Sequence, residues 1–362
     1  MKGVILAGGT GSRLRPITHT GPKQLVPVAN KPVLEYAIED LVEAGIREIG
    51  IVLGQQGREA IQAHCGTGEQ WDVEVTYIVQ GEPLGLAHAV GCVREFVRDE
   101  PFVVYLGDDL MEEGIGPLVD RFDPDRYAAA VGLQAVDEPS RYGIVDRDEA
   151  GDVLALVEKP ADPPSDLALV GIYVFTPSIF DRIEKLEKSW RGEYEITDAI
   201  QGLLDDGRRI QGHVIVGWWK DTGKPEDVIH ANRLVLDDVE SSIDGTVEDD
   251  GSVTGRIVLG AGSVIEAGAT VRGPVSIGTD THIGAEAYLG PYTSVGDGCT
   301  VEAIHLENSV VVGGSELVGD PGGDDRPITD SLIGRDATVH VDRHRQPDGN
   351  RLVIGEHASI TL

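Results

Sequence analysis

The chain has 362 residues, 41% of them hydrophobic, and a formal net charge of −32. That acidity excludes a general nucleic-acid binder, and the apolar content excludes disorder as the default state. No apolar run reaches membrane-spanning length, so no membrane partner is expected. Only eight lysines accompany the abundant Asp and Glu. This balance suits high salt, where ions screen self-repulsion, and a halophilic protein is expected. Full activity in salt-free buffer would refute that expectation. Cys65, Cys92 and Cys299 share no metal-ligand spacing, which fits buried thiols in a reducing compartment. No secretory apolar region precedes the first strand, and a cytoplasmic location is expected.

The chain opens on a short apolar run, Gly3-Val4-Ile5-Leu6-Ala7, with the length and branching of a buried strand. Gly8-Gly9-Thr10-Gly11-Ser12-Arg13 follows. Such a turn lets backbone N–H groups cradle phosphates. It is not a P-loop, because Ser12-Arg13 stands where Lys-Ser/Thr would be, and it is not the dinucleotide fingerprint, because its last glycine position is Leu14. A helix is predicted from Pro32, with Leu34, Ala37, Ile38, Leu41 and Val42 on one face and Gly45 as the stop. Then come a strand at Ile49 to Leu53, a helix from Arg58, a strand at Val73 to Val79, a helix at Leu86 to Val97 and a strand at Phe102 to Leu106. The alternation indicates an α/β fold with a mainly parallel sheet flanked by helices, and a ligand beyond the C-terminal strand ends.

Further strands are expected at Ala128 to Gln134, Gly143 to Asp146, Val153 to Val157, Leu169 to Phe175 and Gln211 to Val216. The first four read as a sheet extension bearing a second substrate's pocket. Helices are expected at Ser178 to Leu186, Ile196 to Leu204 and Pro225 to Val239. The pattern then changes. Apolar residues recur every six positions, from Val247, Val253 and Leu259 through to Val295 and Val301. Four residues after most of them stands a small or modest side chain, such as Ser263, Ala269, Thr281 or Cys299. This is the hexapeptide repeat of a left-handed parallel β-helix. The register breaks at Glu307, and turns resume around Ser309 to Val312, Leu332 to Gly334 and Leu352 to Ile360. Pro321 to Pro327 and Arg343 to Asn350 read as loops. The expected domains are 1–238 and 239–362.

The combined signature Leu6-Ala7-Gly8-Gly9-x-Gly11-x-Arg13-Leu14-x-Pro16, with Pro22-Lys23 and Leu25-x-Pro27, closely resembles the opening of the sugar-1-phosphate nucleotidyltransferases. Further stretches extend the resemblance to about Val235: Gln80-Gly81-Glu82-Pro83-Leu84-Gly85, Leu106-Gly107-Asp108-Asp109, Arg141-Tyr142-Gly143 with Glu158-Lys159-Pro160, and Trp218-Trp219-Lys220-Asp221-Thr222-Gly223. The resemblance implies a Rossmann-like nucleotidyltransferase domain that binds a nucleotide through Leu6, Gly8, Gly9, Gly11, Gln80, Pro83 and Gly85. Gln80 would pair with a pyrimidine edge, for which an amide offers both donor and acceptor. His88 reads as structural or solvent-facing. Gly107, Tyr142, Gly143, Glu158, Lys159, Val170, Tyr173 and Glu193 would hold the sugar phosphate. Asp108 and Asp221 would bind Mg²⁺, which prefers carboxylate and phosphate oxygens. Close relatives have Asn at position 109, and Asp109 leaves open which carboxylate binds. Tyr194 replaces a usual Leu.

The implied reaction is in-line attack of a sugar 1-phosphate on the α-phosphate of a nucleoside triphosphate, with Arg13 and Lys23 as the catalytic cations. The nearest resemblance is to long-form glucose-1-phosphate thymidylyltransferases, with dTTP and glucose 1-phosphate as substrates and UTP as the alternative nucleotide. The β-helix would serve stability and assembly of a homo-oligomer. An acetyltransferase using His282, His305, His340, His344 or His357 is the alternative for that part. A non-catalytic regulatory homologue would have lost Arg13, Lys23 or the aspartates, and all are present.

Overall fold

A computed structural model describes residues 1–19, 21–249, 252–321, 327–341, 352–354 and 359–361. They form two compact units. One holds residues 1–10 and 34–221, the other residues 11–33 and 222–362.

The first unit is built on a nine-stranded sheet. Its first half is parallel: Lys2–Ala7 lies between Glu48–Leu53 and Phe102–Leu106, and Glu48–Leu53 pairs with Glu74–Val79. Every residue of Lys2–Ala7 is buried, as a strand covered on both faces requires. The helix Val33–Glu43 buries Leu34, Ala37, Ile38 and Leu41, the predicted face. The other half is the extension. Leu167–Phe175 runs antiparallel to Phe102–Leu106 and also pairs with Ala129–Ala135 and Gly143–Arg147, while Val153–Glu158 forms the edge. Ile210–Val214 adds to Ala129–Ala135 in parallel.

The structure corrects one helix. The stretch Leu86 to Val97 is two short helices, Leu86–Gly91 and Arg94–Val97. Gly91 is a weak helix former, and the Val93 amide bonds to Val90 three residues back, which tightens the chain and ends the first helix. Among the described residues no helix is long and apolar enough to cross a membrane.

In the second unit, three sheets of short parallel strands wind as the left-handed β-helix that the hexapeptide register predicts. Leu259, Ile265, Val271, Ile277, Ile283, Leu289, Val295 and Val301 are all at most 1% exposed. The small positions point inward too, and the hydroxyls of Ser263 and Thr281 are satisfied, while Thr293 Oγ1 is buried without a partner among the described residues. Ser263 Oγ donates to Gly278 O at 2.7 Å and accepts from Thr281 N at 2.8 Å. Thr281 Oγ1 repeats the arrangement one coil on, donating to Gly296 O at 2.7 Å. A buried hydroxyl without such a partner would destabilise the coil.

Beyond the break the same columns continue with unequal coils. Leu289 pairs with Leu306, Val295 with Val311 and Val301 with Leu317. Glu316–Val318, Ile328–Thr329 and Thr338–His340 are strands that the periodicity did not predict. The expected loop at 343–350, most of the one at 321–327, His344 and His357 lie outside the described residues. The helix Pro225–Asp238 and a hairpin of Pro27–Val28 with Lys31–Pro32 also belong to this unit.

Candidate active site

Adjacent parallel strands set the first part of the site. Lys2–Ala7 ends in Gly8-Gly9, and Phe102–Leu106 ends in Gly107-Asp108. Leu6 and Leu106 are in register, and Gly107 N donates to Leu6 O at 3.1 Å. Both turns therefore leave the same sheet edge. Gln80 joins them from the next strands along, its N–H bonded to Leu53 O at 3.0 Å. A Cβ at position 8 would lie 2.6 Å from Gln80 Oε1, so a side chain there would displace this amide from its place.

Gln80 Nε2 donates to Gly85 O at 3.3 Å and lies 3.3 Å from His88 Nδ1. His88 is thus a structural residue that holds the Gln80 amide. Gly85 has φ +112°, and a Cβ there would lie 2.5 Å from Tyr194 O. Tyr194 N donates to Leu84 O at 2.8 Å, and Ala87 N to Tyr194 O at 3.1 Å. The Gln80 loop is thereby stitched to the segment that carries Glu193 and Glu195. Pro83 is exposed in the loop.

Asp108, Asp109 and Asp221 each place a carboxylate oxygen within 4.8 Å of the others'. A two-stranded ribbon sets their register: Trp219–Asp221 pairs antiparallel with Asp109–Met111, with Asp221 opposite Asp109. Asp109, left out of the expected metal pair, is 2% exposed and part of the cluster. Its Oδ2 accepts from Gly171 N and from Trp219 Nε1, both at 2.9 Å. The Leu167–Phe175 strand shifts register between Leu169 and Tyr173, around the Gly171 N–H that turns to Asp109. Oxygen donors without sulfur or imidazole suit a hard cation such as Mg²⁺.

Of the expected sugar-phosphate residues, Tyr142, Gly143, Lys159 and Glu193 gather around Glu158. Gly143 is opposite Glu158 in the sheet, and Lys159 N donates to Tyr142 O at 2.9 Å. Glu158 Oε1 is 3.2 Å from Lys159 Nζ, and its Oε2 accepts from Thr197 Oγ1 at 3.2 Å. Arg191, which the sequence reading missed, sits at the centre of the acidic residues. It lies 3.4 Å from Glu158, 3.2 Å from Glu193 and 3.4 Å from Glu195. Its place two residues before Glu193, an expected sugar-phosphate residue, was the available signal.

Burial pushes the Glu195 carboxyl above its ordinary pKa, with hydrogen bonding to Ser189 and the charge of Arg191 acting against the rise. The Tyr142 ring meets Trp219 edge-on at 5.7 Å. Trp219 thus links the sugar-phosphate residues to the aspartates. Val170 is fully buried, and Tyr173 is 4% exposed and stacked on Phe175. Burial pushes the Tyr173 hydroxyl pKa up, and the carboxylates of Asp109 and Glu158 add to the rise.

Gly11, Arg13 and Lys23 belong to the other unit. Arg13 is exposed and Lys23 half-buried. In the β-helix, His282 Nε2 is 2.9 Å from Glu266 Oε1, and the His305 ring packs edge-on against Tyr288.

This arrangement, a glycine turn and a carboxylate cluster on one sheet edge followed by a hexapeptide β-helix, defines an enzyme class that moves nucleotidyl groups. A nucleotidyl transferase family model matches residues 2–238, and a model of the hexapeptide repeat of succinyl-transferase matches residues 274–303. The chain belongs to the nucleotidyl transferase family and is a sugar-1-phosphate nucleotidyltransferase with a C-terminal hexapeptide region. It is 59% identical over 362 residues, all of both chains, to the low-salt glycan biosynthesis nucleotidyltransferase Agl11 of Haloferax volcanii. It is 45% identical over 363 residues to the glucose-1-phosphate thymidylyltransferase of Streptomyces antibioticus, covering 100% of this chain and 99% of that one. A Bacillus anthracis crystal structure titled as a glucose-1-phosphate thymidylyltransferase in complex with a sucrose superposes with a TM-score of 0.62 at 37% identity, over 67% of this chain and 97% of that one.

Proposed function

We propose that the protein joins dTTP and α-D-glucose 1-phosphate to give dTDP-glucose and pyrophosphate, a step of nucleotide-sugar biosynthesis. The observation that carries the reading is the shared sheet edge, where Gly8-Gly9, the Gln80 amide and the Asp108–Asp109–Asp221 cluster leave neighbouring strands. Relatives matched over the whole chain and named as thymidylyltransferases support the nucleotide.

In this reading Leu6, Gly8, Gly9, Gly11, Pro83 and Gly85 line the nucleotide, and Gln80 meets the base. Gly107, Tyr142, Gly143, Glu158, Val170, Tyr173 and Glu193 hold the sugar, with Lys159 and Arg191 on its phosphate. A phosphate oxygen of glucose 1-phosphate attacks the α-phosphorus as the bond to the β-phosphate breaks, and pyrophosphate leaves with the electron pair. Arg13 holds the leaving pyrophosphate and Lys23 offsets charge at the α-phosphate. Asp108 and Asp221, with Asp109 beside them, would hold Mg²⁺, which neutralises phosphate charge when bound. Positioning and electrostatics supply the rate, and no covalent enzyme intermediate is required.

Pyrophosphate release with glucose 1-phosphate and Mg²⁺ in high salt, across dTTP, UTP, ATP, CTP and GTP, tests this. dTTP should be preferred. A UTP preference would replace the nucleotide, and no release with any of the five would overturn the reading. We also propose a homo-oligomer assembled through the β-helix. A monomer mass in sedimentation at high salt would refute it.

A further inference from the structure

The unit built on the β-helix also contains residues 11–33, the stretch that carries Arg13 and Lys23. A short hairpin tethers it. Pro27–Val28 pairs with Lys31–Pro32, and the two-residue loop between them, Ala29-Asn30, has φ of 48° and 67°. These are the positive angles of a primed hairpin turn, which Asn tolerates well.

The loop docks on the β-helix through amides. Asn30 Nδ2 lies 2.9 Å from Val295 O, 3.1 Å from Ser276 O and 3.0 Å from Ser276 Oγ. Ser276 and Val295 belong to neighbouring coils. Asn232, fully buried in Pro225–Asp238, completes the joint. Its Oδ1 accepts from Ala29 N at 2.8 Å and from Ser294 Oγ at 2.7 Å, and its Nδ2 donates to Tyr292 O at 3.0 Å. One side chain thus ties hairpin, helix and coil together. Asn232 is bonded through both its oxygen and its nitrogen, whereas Asn30 Oδ1 is buried without a partner among the described residues, so the Asn232 amide is the rigid part of the joint.

The path from the hairpin to the two cations is short. Val33 N donates to Val26 O at 3.2 Å, and Val26 N to Lys23 O at 3.1 Å. Gly11 has φ +61°, and a Cβ there would lie 3.1 Å from Lys23 Cβ. Gly11 O accepts from Thr18 Oγ1 at 2.6 Å and from Leu14 N at 3.0 Å. The Lys23 backbone and the turn that precedes Arg13 are therefore bonded step by step to the hairpin.

We infer that Asn30 and Asn232 are positioning residues for nucleotidyl transfer, through which the C-terminal β-helix fixes the segment bearing Arg13 and Lys23. The inference rests on the proposed roles of those two cations. The test compares the full-length wild type with Asn30→Gly, Asn232→Leu and Ser315→Ala. Asn30→Gly keeps the turn conformation and removes only the amide. Ser315→Ala removes a β-helix hydroxyl bonded to Gly334 O at 2.9 Å and serves as a stability control.

Both Asn variants should lower kcat by about tenfold or more, the scale expected when catalytic groups are misplaced by a fraction of an ångström to an ångström. KM for the sugar phosphate should hold, because Tyr142, Glu158 and Lys159 belong to the other unit. Amide hydrogen exchange over residues 11–33 should speed up in both variants. Ser315→Ala should lower the Tm with kcat unchanged. Wild-type kcat in a folded Asn30→Gly protein overturns the inference, as does an equal kcat loss in Ser315→Ala. A wild type inactive with every substrate pair overturns the proposed function instead. Exchange then decides the anchoring: unchanged protection over residues 11–33 in Asn30→Gly refutes it, and lost protection upholds it.

Discussion

The β-helix and the α/β unit hold their interiors in opposite ways. In the β-helix each inward residue is fixed by the coil before it and the coil after it, so Val271 pairs with Leu289 and Leu289 with Leu306. In the α/β unit the aspartate cluster is fixed by partners far along the chain. Asp109 receives Gly171 from 62 residues away and Trp219 from 110. A nearest-neighbour stack spreads a defect over a few coils. A cluster held by distant clasps concentrates its function in very few side chains.

The largest effect should come from the cluster. Asp221→Ala should lower Mg²⁺-dependent turnover by roughly a hundred- to a thousandfold, with little change in Tm. Steady-state kinetics and a melting curve check both halves, and near wild-type turnover would remove Asp221 from the metal site. The matching change in the stack is Leu289→Ala, a fully buried residue in mid-column. It should cost about 3 kcal/mol of stability through the cavity it leaves. Denaturant unfolding followed in the β-helix reads that loss, and a change below about 1 kcal/mol would show a coil that collapses onto its defects.

A smaller effect concerns pH. The folded-state pKa of Glu195 is raised by burial above its ordinary value of 4.5. The folded chain then binds that proton more tightly than the unfolded chain. Its contribution is fully present below the ordinary carboxylate pKa and is lost as pH rises through the folded value. Glu195→Gln should therefore flatten the fall of stability with pH across that window. An identical pH slope in wild type and variant would contradict it.

The smallest effect resolves the two units without perturbing either. Cys65 and Cys299 are buried, one in each unit, and burial pushes their thiols up to about 12 and about 11. Half-buried Cys92 should be alkylated first at pH about 8, where thiolate fraction and access control the rate. Mass spectrometry during denaturant unfolding should then show Cys65 and Cys299 reacting at separate midpoints. Coincident midpoints would mean that the units unfold together.

The same contrast explains what could be read from the chain. The β-helix was legible to the residue from Leu259 to Val301, because one hexad determines the next. Its later strands at Glu316–Val318 and Thr338–His340 escaped, since unequal coils break the spacing while keeping the columns. The predicted helical face of Leu34, Ala37, Ile38 and Leu41 was legible for a similar local reason. Asp109 was legible only as an open choice beside Asp108, because its partners Gly171 and Trp219 meet it only in the folded sheet. Arg191 was missed because its place among Glu158, Glu193 and Glu195 depends on a loop meeting a strand edge.

The unequal coils also bear on how such a chain can be rebuilt. Leu306 pairs with Ile328 across a stretch longer than the one from Leu289 to Leu306, yet all three stay in one apolar column. The spacing of the stack is set strand by strand and tolerates extra sequence between strands. For protein engineering, the exposed residues Asp320 and Pro321 are then a place for an insertion. A foreign epitope or tag inserted there should be displayed at a fixed rung, with the columns on either side as its frame.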